Sequence, residues 1–243
     1  MTAKRGYKRG YPVAVLVSLE DDTAVLWRIF SHIVKHEKTL WKDGDREDSK
    51  ATYNFHESII NALRPTFKEG VRSVILASLP GTGHAQEFVS HVREHHVWLV
   101  QGSSKATFSV TEGSAGTLSE VAALTRTPRF RAQISEITSE ETGHLIDALE
   151  KQLNAPGQNT VVLYSLKEIE DLILKTLKPS NPKRGQLMLT SKYLSESREK
   201  NRIHRLLQVA SNKGIRTRIA DAESAAGKRL AQLGGLVFFT QLE

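Results

Sequence analysis

Four histidines are concentrated in one predicted helix, over residues 84–96. His91 and His95 lie four residues apart, so a helix would place them on one face, and His84 and His96 are close by in sequence. That spacing can chelate a metal ion. However, the chain has no HExxH motif and no cysteine, and no acidic third ligand is evident. We therefore predict solvated helix histidines, with no metal and no cofactor.

The segment Leu79–His84 (LPGTGH) joins a predicted strand to the start of that helix. Free backbone N–H groups there could hold a phosphate, and a plain structural turn is the alternative. The segment lacks Lys-Ser/Thr after its second glycine and is therefore not a P-loop, so we predict a structural turn. Because no Ser-His-Asp order with a nucleophile elbow occurs, we assign no catalytic residue.

Positive charge is unevenly distributed along the chain, whose net charge is +7. Residues 172–243 carry 14 basic and 5 acidic side chains, a net charge of +9. Residues 136–171 carry 2 basic and 8 acidic side chains, a net charge of −6. A basic region indicates an anionic partner, most often nucleic acid, and a solvated basic surface is the alternative.

Three groups of basic residues are candidates for RNA contact. An N-terminal arm carries two tyrosines that could stack on bases. A polar loop over 42–52 is nearly neutral, so simple attraction to phosphate is weak there. A predicted helix over 196–212 presents arginines at i, i+4 and i+7 on one face. The candidates are Lys4, Arg5, Lys8 and Arg9 in the arm, Lys42, Arg46 and Lys50 in the loop, and Arg198, Arg202 and Arg205 on the helix.

Length and composition favour a soluble two-domain protein. The 243 residues, 39% of them apolar, are enough to build two cores. No apolar run approaches the roughly 18–20 residues needed to cross a bilayer. The basic N-terminus lacks a small-residue cleavage site and is a poor signal peptide. The absence of cysteine fits a reducing compartment, so we expect a cytoplasmic protein without a membrane partner.

The first part of the chain is predicted to begin with a hairpin and a third strand, because β-rich runs are separated by turn residues. The polar loop 42–52 follows, and Asn54 is predicted to cap the next helix in a capping box with Glu57. Thr117 and Glu120 form a second capping box before a short helix. The other predicted elements here are strands at 13–19, 24–31, 34–41, 71–79 and 97–101 and a helix at 84–96.

The second part alternates strands with helices, which predicts an α/β sandwich. We place the domain boundary in the basic stretch 125–138, giving domains 1–128 and 129–243. Ser165 with Glu168 is predicted as a capping box, and Gly214 as a helix C-terminal glycine. The predicted helices are 139–153, 166–177, 196–212 and 224–233, and the predicted strands are 160–164, 186–190, 215–220 and 235–240.

The segment Ser211–Phe239 resembles the end of the third domain of Pelota and the class-1 archaeal and eukaryotic release factors. The matching residues are Lys213, Gly214, Leu230, Leu233, Gly234, Gly235, Leu236 and Phe238. Earlier segments resemble the middle domain of that family, and their common order carries the resemblance. They are the hairpin at 13–31, Tyr53–Gly81 and Ser109–Leu124, and Tyr164–Ile169 resembles an element of the third domain.

The resemblance covers nearly the whole chain, but only the second and third domains of the family. It implies a ribonuclease-H-like middle domain followed by an α/β/α sandwich. The family's release factors carry Gly-Gly-Gln in the loop that corresponds to residues 38–52, and that stretch contains no glutamine here. Hydrolysis of peptidyl-tRNA by the family mechanism is therefore disfavoured.

The function that this resemblance implies is a non-catalytic, ribosome-associated translation or ribosome-rescue factor that contacts rRNA and tRNA. Its third domain would contact a translational GTPase or an ABC-type recycling ATPase, with Lys183, Arg184, Arg216 and Arg218 as candidate partner-binding residues. Two alternatives stay open. One is a peptidyl-tRNA hydrolase or nuclease that uses another residue set, and the other is a free-standing RNA-binding module.

Overall fold

The computed structural model describes residues 11–44, 48–101, 105–154, 160–176 and 185–241. Its contacts divide the chain into two compact units. The first unit comprises the described residues up to 67 together with 71–137. The second comprises 68–70 and the described residues from 138 onward. The division falls inside a helix, at 137/138, and the domain assignment with its boundary after 128 remains a prediction.

The first unit contains a five-stranded mixed sheet in the order β3-β2-β1-β4-β5. β1, β2 and β3 pair antiparallel, and β4 and β5 add in parallel. The elements are β1 Pro12–Leu19, β2 Thr23–Phe30, β3 Val34–Trp41, α1 Ser49–Lys68, β4 Ser73–Ser78, α2 His84–His95, α3 Val97–Val100, β5 Thr107–Glu112, α4 Leu118–Arg126 and α5 Pro128–Leu153, whose second half belongs to the second unit.

Helices cover both faces of this sheet. Side chains alternate along a strand, so β1 sends Val15 and Val17 to one face and Leu16 to the other, and all three are fully buried. The first face packs against α1 and α2, and the second against α4 and the start of α5. The unit is thus a three-layer arrangement whose central strand is apolar on both sides, as expected for a strand flanked by two helical layers.

The second unit has a four-stranded sheet in the order β6-β9-β7-β8. β7 and β8 are parallel, and β9 is antiparallel to both β6 and β7. Met188 and Val237 pack on one face against Ile146 and Leu149 of α5. Its remaining elements are β6 Thr160–Leu163, α6 Leu166–Asp171 with a π-helical turn at Leu172–Thr176, β7 Gln186–Thr190, α7 Ser191–Glu196, α8 Lys200–Asn212, β8 Arg216–Ala220, α9 Ala225–Gln232 and β9 Leu236–Gln241. The predicted α/β fold class with two sheets is confirmed.

Several predicted helix boundaries were wrong. α1 begins at Ser49 and not after Asn54, because Asp48 Oδ1 accepts from the Lys50 backbone N–H at 2.8 Å and caps the helix. The predicted loop 42–52 is correspondingly shorter. Ser165 makes no side-chain cap hydrogen bond, so the box predicted there does not form. The box of Thr117 with Glu120 is confirmed.

Three other predicted elements differ from the structure. Residues 97–101 contain the short helix α3 instead of a strand, because the chain continues to turn after α2. The predicted helix 196–212 begins later, at Lys200, as α8, and a separate short helix, α7, precedes it at Ser191–Glu196. The helix predicted at 139–153 begins earlier, at Pro128 within the basic stretch 125–138, and proline is well suited to the first position of a helix. Within the part of the chain that the structure describes, no helix combines the length and apolar character needed to cross a membrane.

Candidate functional site

Half of the basic residues predicted from the sequence as site residues fall outside the described part of the chain. They are Lys4, Arg5, Lys8, Arg9, Arg46, Lys183 and Arg184.

The segment between β3 and α1 presents an aromatic and a basic side chain to solvent. Trp41, at the end of β3, is 70% exposed. Lys50 is exposed on the first turn of α1, and Lys42 is half-buried. Lys42 lines a cleft whose other ionisable members include Glu20 and Asp21. Because of those carboxylates, we regard Lys50 as better placed than Lys42 to meet a phosphate.

The three arginines predicted on one helix face do not form a stripe. Arg198 precedes α8 and is exposed, so it does not share the helix with the other two. Arg202 pairs with Glu170 at 2.5 Å and with Glu199 at 2.7 Å. Those hydrogen bonds, the one to Glu170 first, raise the pKa of Arg202.

Arg205 is exposed on α8 and forms no ion pair with another described residue. Arg198 and Arg205 are therefore the arginines of this set whose charge faces solvent.

Arg218 does not belong to a surface, which corrects its predicted role in partner binding. Its side chain is 5% exposed, and its Nη2 donates to Oε2 of Glu141, itself 4% exposed, at 2.7 Å. A buried guanidinium paired with a buried carboxylate belongs to the interior of the second unit. Arg216, two residues earlier on β8, is half-buried and already makes an interaction within the chain.

The first unit contains a cluster of ligand-type side chains that the sequence did not reveal. Oε1 of Glu57 accepts hydrogen bonds from Nε2 of His91 at 3.1 Å and from Nε2 of His96 at 2.5 Å. The ligand atoms of the three residues all lie within 4.8 Å of one another. His91 and His96 are buried, whereas the Glu57 side chain is 26% exposed.

The electrostatics favour a neutral His91 imidazole and an ionised Glu57 carboxylate. Burial has the largest effect on the pKa of His91 and lowers it. The hydrogen bond to Glu57 acts to raise that pKa, and the charge of His95 lowers it further. Burial would raise the pKa of Glu57, but the hydrogen bonds from His96 and His91 outweigh it and the pKa is lowered. His56, whose ring lies 4.9 Å from that of His91, has its pKa lowered to about 4, chiefly by burial.

Sequence reasoning missed this cluster because it paired His91 with His95. Residues five apart on a regular helix point about 140° away from each other. α2 ends at His95, however, and His96 leaves the helix with φ −127° and ψ 50°, which returns its ring towards His91. Glu57 is predicted from the sequence as part of a helix cap. Because α1 starts at Ser49, Glu57 lies inside the helix, and its carboxylate is available to the two histidines.

Comparison with solved structures places the fold. The chain matches Dom34 of S. cerevisiae, described as a translation termination-like factor involved in RNA quality control pathways and interacting with Hbs1, at 17% identity and a TM-score of 0.51. It also matches archaeal Pelota in a model of the ribosome-bound protein with ABCE1, at 15% identity and a TM-score of 0.53. The chain has a Pelota-type fold.

The matched region takes in almost all of this chain. It covers 97% of this chain and 65% of the Dom34 chain, and 95% of this chain and 62% of the Pelota chain. The chain thus spans just under two thirds of the length of these Pelota-type proteins. No protein-family model and no curated protein sequence matches it. At these identities the likeness establishes the fold.

Proposed function

We propose that this protein is a ribosome-associated factor of the Pelota type that acts in translation or ribosome rescue in the cytoplasm. The observation that carries the proposal is the succession of two α/β units that matches Dom34 and ribosome-bound Pelota over nearly the whole chain. Fold alone does not determine function, and the exposed cations of the two units add to the support for the proposal. We also propose that the chain belongs to this family at the level of sequence.

The proposed RNA contacts in the first unit centre on Lys50. This lysine lies in the first turn of α1, which contains no acidic residue. A cation near a helix N-terminus is unfavourable by about 0.3–1 kcal/mol because the helix dipole is positive there. The helix start is already capped by Asp48, so the exposed Lys50 ammonium is the group there that would attract a phosphate. Lys42, Arg46 and the arm of Lys4, Arg5, Lys8 and Arg9 belong to the same proposal.

In the second unit we propose RNA contact through Arg198 and Arg205, whose charges face solvent. Arg202 already satisfies two carboxylates and would contribute less. A translational GTPase or an ABC-type ATPase is the proposed protein partner, since Dom34 is described as interacting with Hbs1 and the Pelota match is a model that includes ABCE1. Lys183, Arg184 and Arg216 remain candidates for that contact.

We propose that the protein does not hydrolyse peptidyl-tRNA by the release-factor mechanism. Residues 38–52 contain no glutamine to position a water molecule against the ester. A release assay on stalled ribosome–nascent-chain complexes tests this point. We expect no peptide release. If the wild-type protein releases peptide, and variants of residues 38–52 release it equally well, a hydrolase with a different site would be favoured instead.

The test of the proposal is co-sedimentation of the full chain with ribosomes over a salt series. We expect saturation near one chain per ribosome and retention above physiological salt. Lys50→Glu should weaken binding and flatten its salt dependence, since each lost phosphate contact lowers the slope of log K against log salt by about 0.7–0.9. The same substitution should raise the unfolding free energy slightly by favouring the helix dipole, so weaker binding could not be attributed to misfolding.

Matched controls separate specific from general charge effects. Lys38→Glu, on β3, changes an exposed lysine of the first unit, and Lys228→Glu does the same on α9 of the second. The double variant Arg198→Glu/Arg205→Glu should weaken binding much more than Lys228→Glu. Equal losses in test and control variants, with equal affinity for unrelated RNA, would contradict a ribosome factor and favour a free-standing RNA-binding module.

A further inference from the structure

The cluster of Glu57, His91 and His96 lies between two helices that are fixed to the sheet. Phe55 and Ile59 anchor α1 on either side of Glu57, and Phe88 and Val92 anchor α2. A site built on rigid elements holds its geometry better than one on loops. The three ligand atoms are thus held close together by the packing of the first unit.

Two imidazole N–H groups meet at one carboxylate oxygen in this cluster. Each is at hydrogen-bond distance, and the oxygen faces both rings at once. A single cation placed among the three atoms would replace both N–H donors, and the imidazole protons would move to the Nδ1 atoms.

The distances are close to those of a metal site. Ligand atoms around a tetrahedral Zn²⁺ lie about 3.3–3.6 Å apart, because metal–ligand distances are about 2.0–2.2 Å. The Glu57 oxygen lies 3.1 Å and 2.5 Å from the two nitrogens, and all three ligand atoms lie within 4.8 Å of one another. The oxygen would have to retreat by about 1 Å, and the two nitrogens would have to approach each other from a separation of up to 4.8 Å. The Glu57 side chain is partly exposed and can make that movement.

The surrounding rings restrict the two histidines. Tyr53 packs edge-on against His91, with 5.0 Å between ring centroids, and Trp98 packs against His96 at 6.2 Å. Ordered imidazole rings lose little freedom when they bind a metal. Solvent reaches the cluster at Glu57, which leaves room for a water molecule as a fourth ligand.

We propose that Glu57, His91 and His96 form a binding site for a divalent transition-metal ion, with Zn²⁺ as the best-matched ion. Two imidazoles and one carboxylate constitute a recurrent ligand set for such ions, and hard oxygen-only cations such as Mg²⁺ would be disfavoured. The bound ion would connect α1 to the end of α2. It would replace the hydrogen-bonded network that otherwise joins these two helices.

The experiment is a calorimetric titration of Zn²⁺ into the full chain, expressed without a histidine tag and freed of metal by a chelator. We expect one ion per chain and a higher melting temperature with Zn²⁺, since a ligand that binds only the folded state stabilises it. Glu57→Gln and His96→Gln should each weaken Zn²⁺ binding by about tenfold or more. The same variants should lose the Zn²⁺-dependent rise in melting temperature.

His144→Gln is the matched control, because His144 is partly exposed on α5 and lies in the second unit. It should bind Zn²⁺ like the wild type. Circular dichroism of each metal-free variant verifies that it is folded before titration. Unchanged affinity in Glu57→Gln and His96→Gln, or no binding by folded wild-type protein, would overturn the proposal. No ribosome enters this experiment, so its result does not depend on the proposed function.

Discussion

Removal of the buried charge at Arg218 should destabilise the second unit severely. Arg218 and Glu141 are 5% and 4% exposed, and their charged atoms are 2.7 Å apart. Arg218→Met leaves the carboxylate buried without its guanidinium, which typically costs about 3–5 kcal/mol. For a slope of about 1–3 kcal/mol per molar urea, the unfolding midpoint should fall by about 1–5 M.

Arg229→Met is the matched comparison. Arg229 pairs with Asp147 and Glu150, but the side chains are 39%, 54% and 45% exposed. Solvent screens such pairs, so the substitution should cost about 0–1 kcal/mol. The predicted difference between the two arginines thus follows from burial alone, since their shortest ion-pair distances are similar.

Urea unfolding followed by two signals tests this prediction. The three tryptophans, Trp27, Trp41 and Trp98, all lie in the first unit, so fluorescence reports that unit and circular dichroism reports both. The loss caused by Arg218→Met should appear in the circular dichroism transition. A loss no greater than that of Arg229→Met would show that burial does not determine the cost of losing an ion pair here.

Two further predictions concern single positions. Gly227→Ala should lower the unfolding free energy by about 1–3 kcal/mol or more, because the added Cβ would lie 1.8 Å from the carbonyl oxygen of Asp221. Gly143→Ala, which has open space around it, should stabilise α5 by up to about 1 kcal/mol in the same urea assay. The backbone and hydroxyl groups of Thr117 hold the pKa of Glu120 below its ordinary value of 4.5, so ionised Glu120 stabilises the fold above that pH and the benefit is lost as pH falls through the lowered pKa. The stability difference between wild type and Glu120→Gln should therefore shrink as the pH falls below about 4.5, and a constant difference would contradict this.

Local signals in the sequence predicted much of the fold. The hairpin of β1 and β2 was predicted from its acidic turn, and Glu20 N–H donates to the Thr23 carbonyl there at 2.9 Å. Gly214 was predicted as a C-terminal glycine and has φ +76°, a backbone angle that favours glycine. These features depend on residues within a few positions of one another, so the sequence carries them directly.

Features that depend on distant residues were not predictable in this way. Arg218 was predicted as a surface cation, and the residue that draws it inside, Glu141, lies 77 positions earlier. Likewise, Glu57 meets His91 and His96 only because α1 and α2 pack side by side on the sheet. The residue spacing within either helix does not predict this contact, because it forms only when the two helices pack in the tertiary structure.

The last strand of the second sheet lies in its interior, between β6 and β7. During synthesis, β6 and β7 are made first and have no β9 to pair with. At about 5–20 residues per second, the roughly 50 residues from the end of β7 to the end of β9 take about 3–10 s to translate. In that interval both strands expose edges that can pair with other chains. A product truncated before Leu236 would keep those edges permanently, so incomplete chains of this protein should aggregate or be degraded.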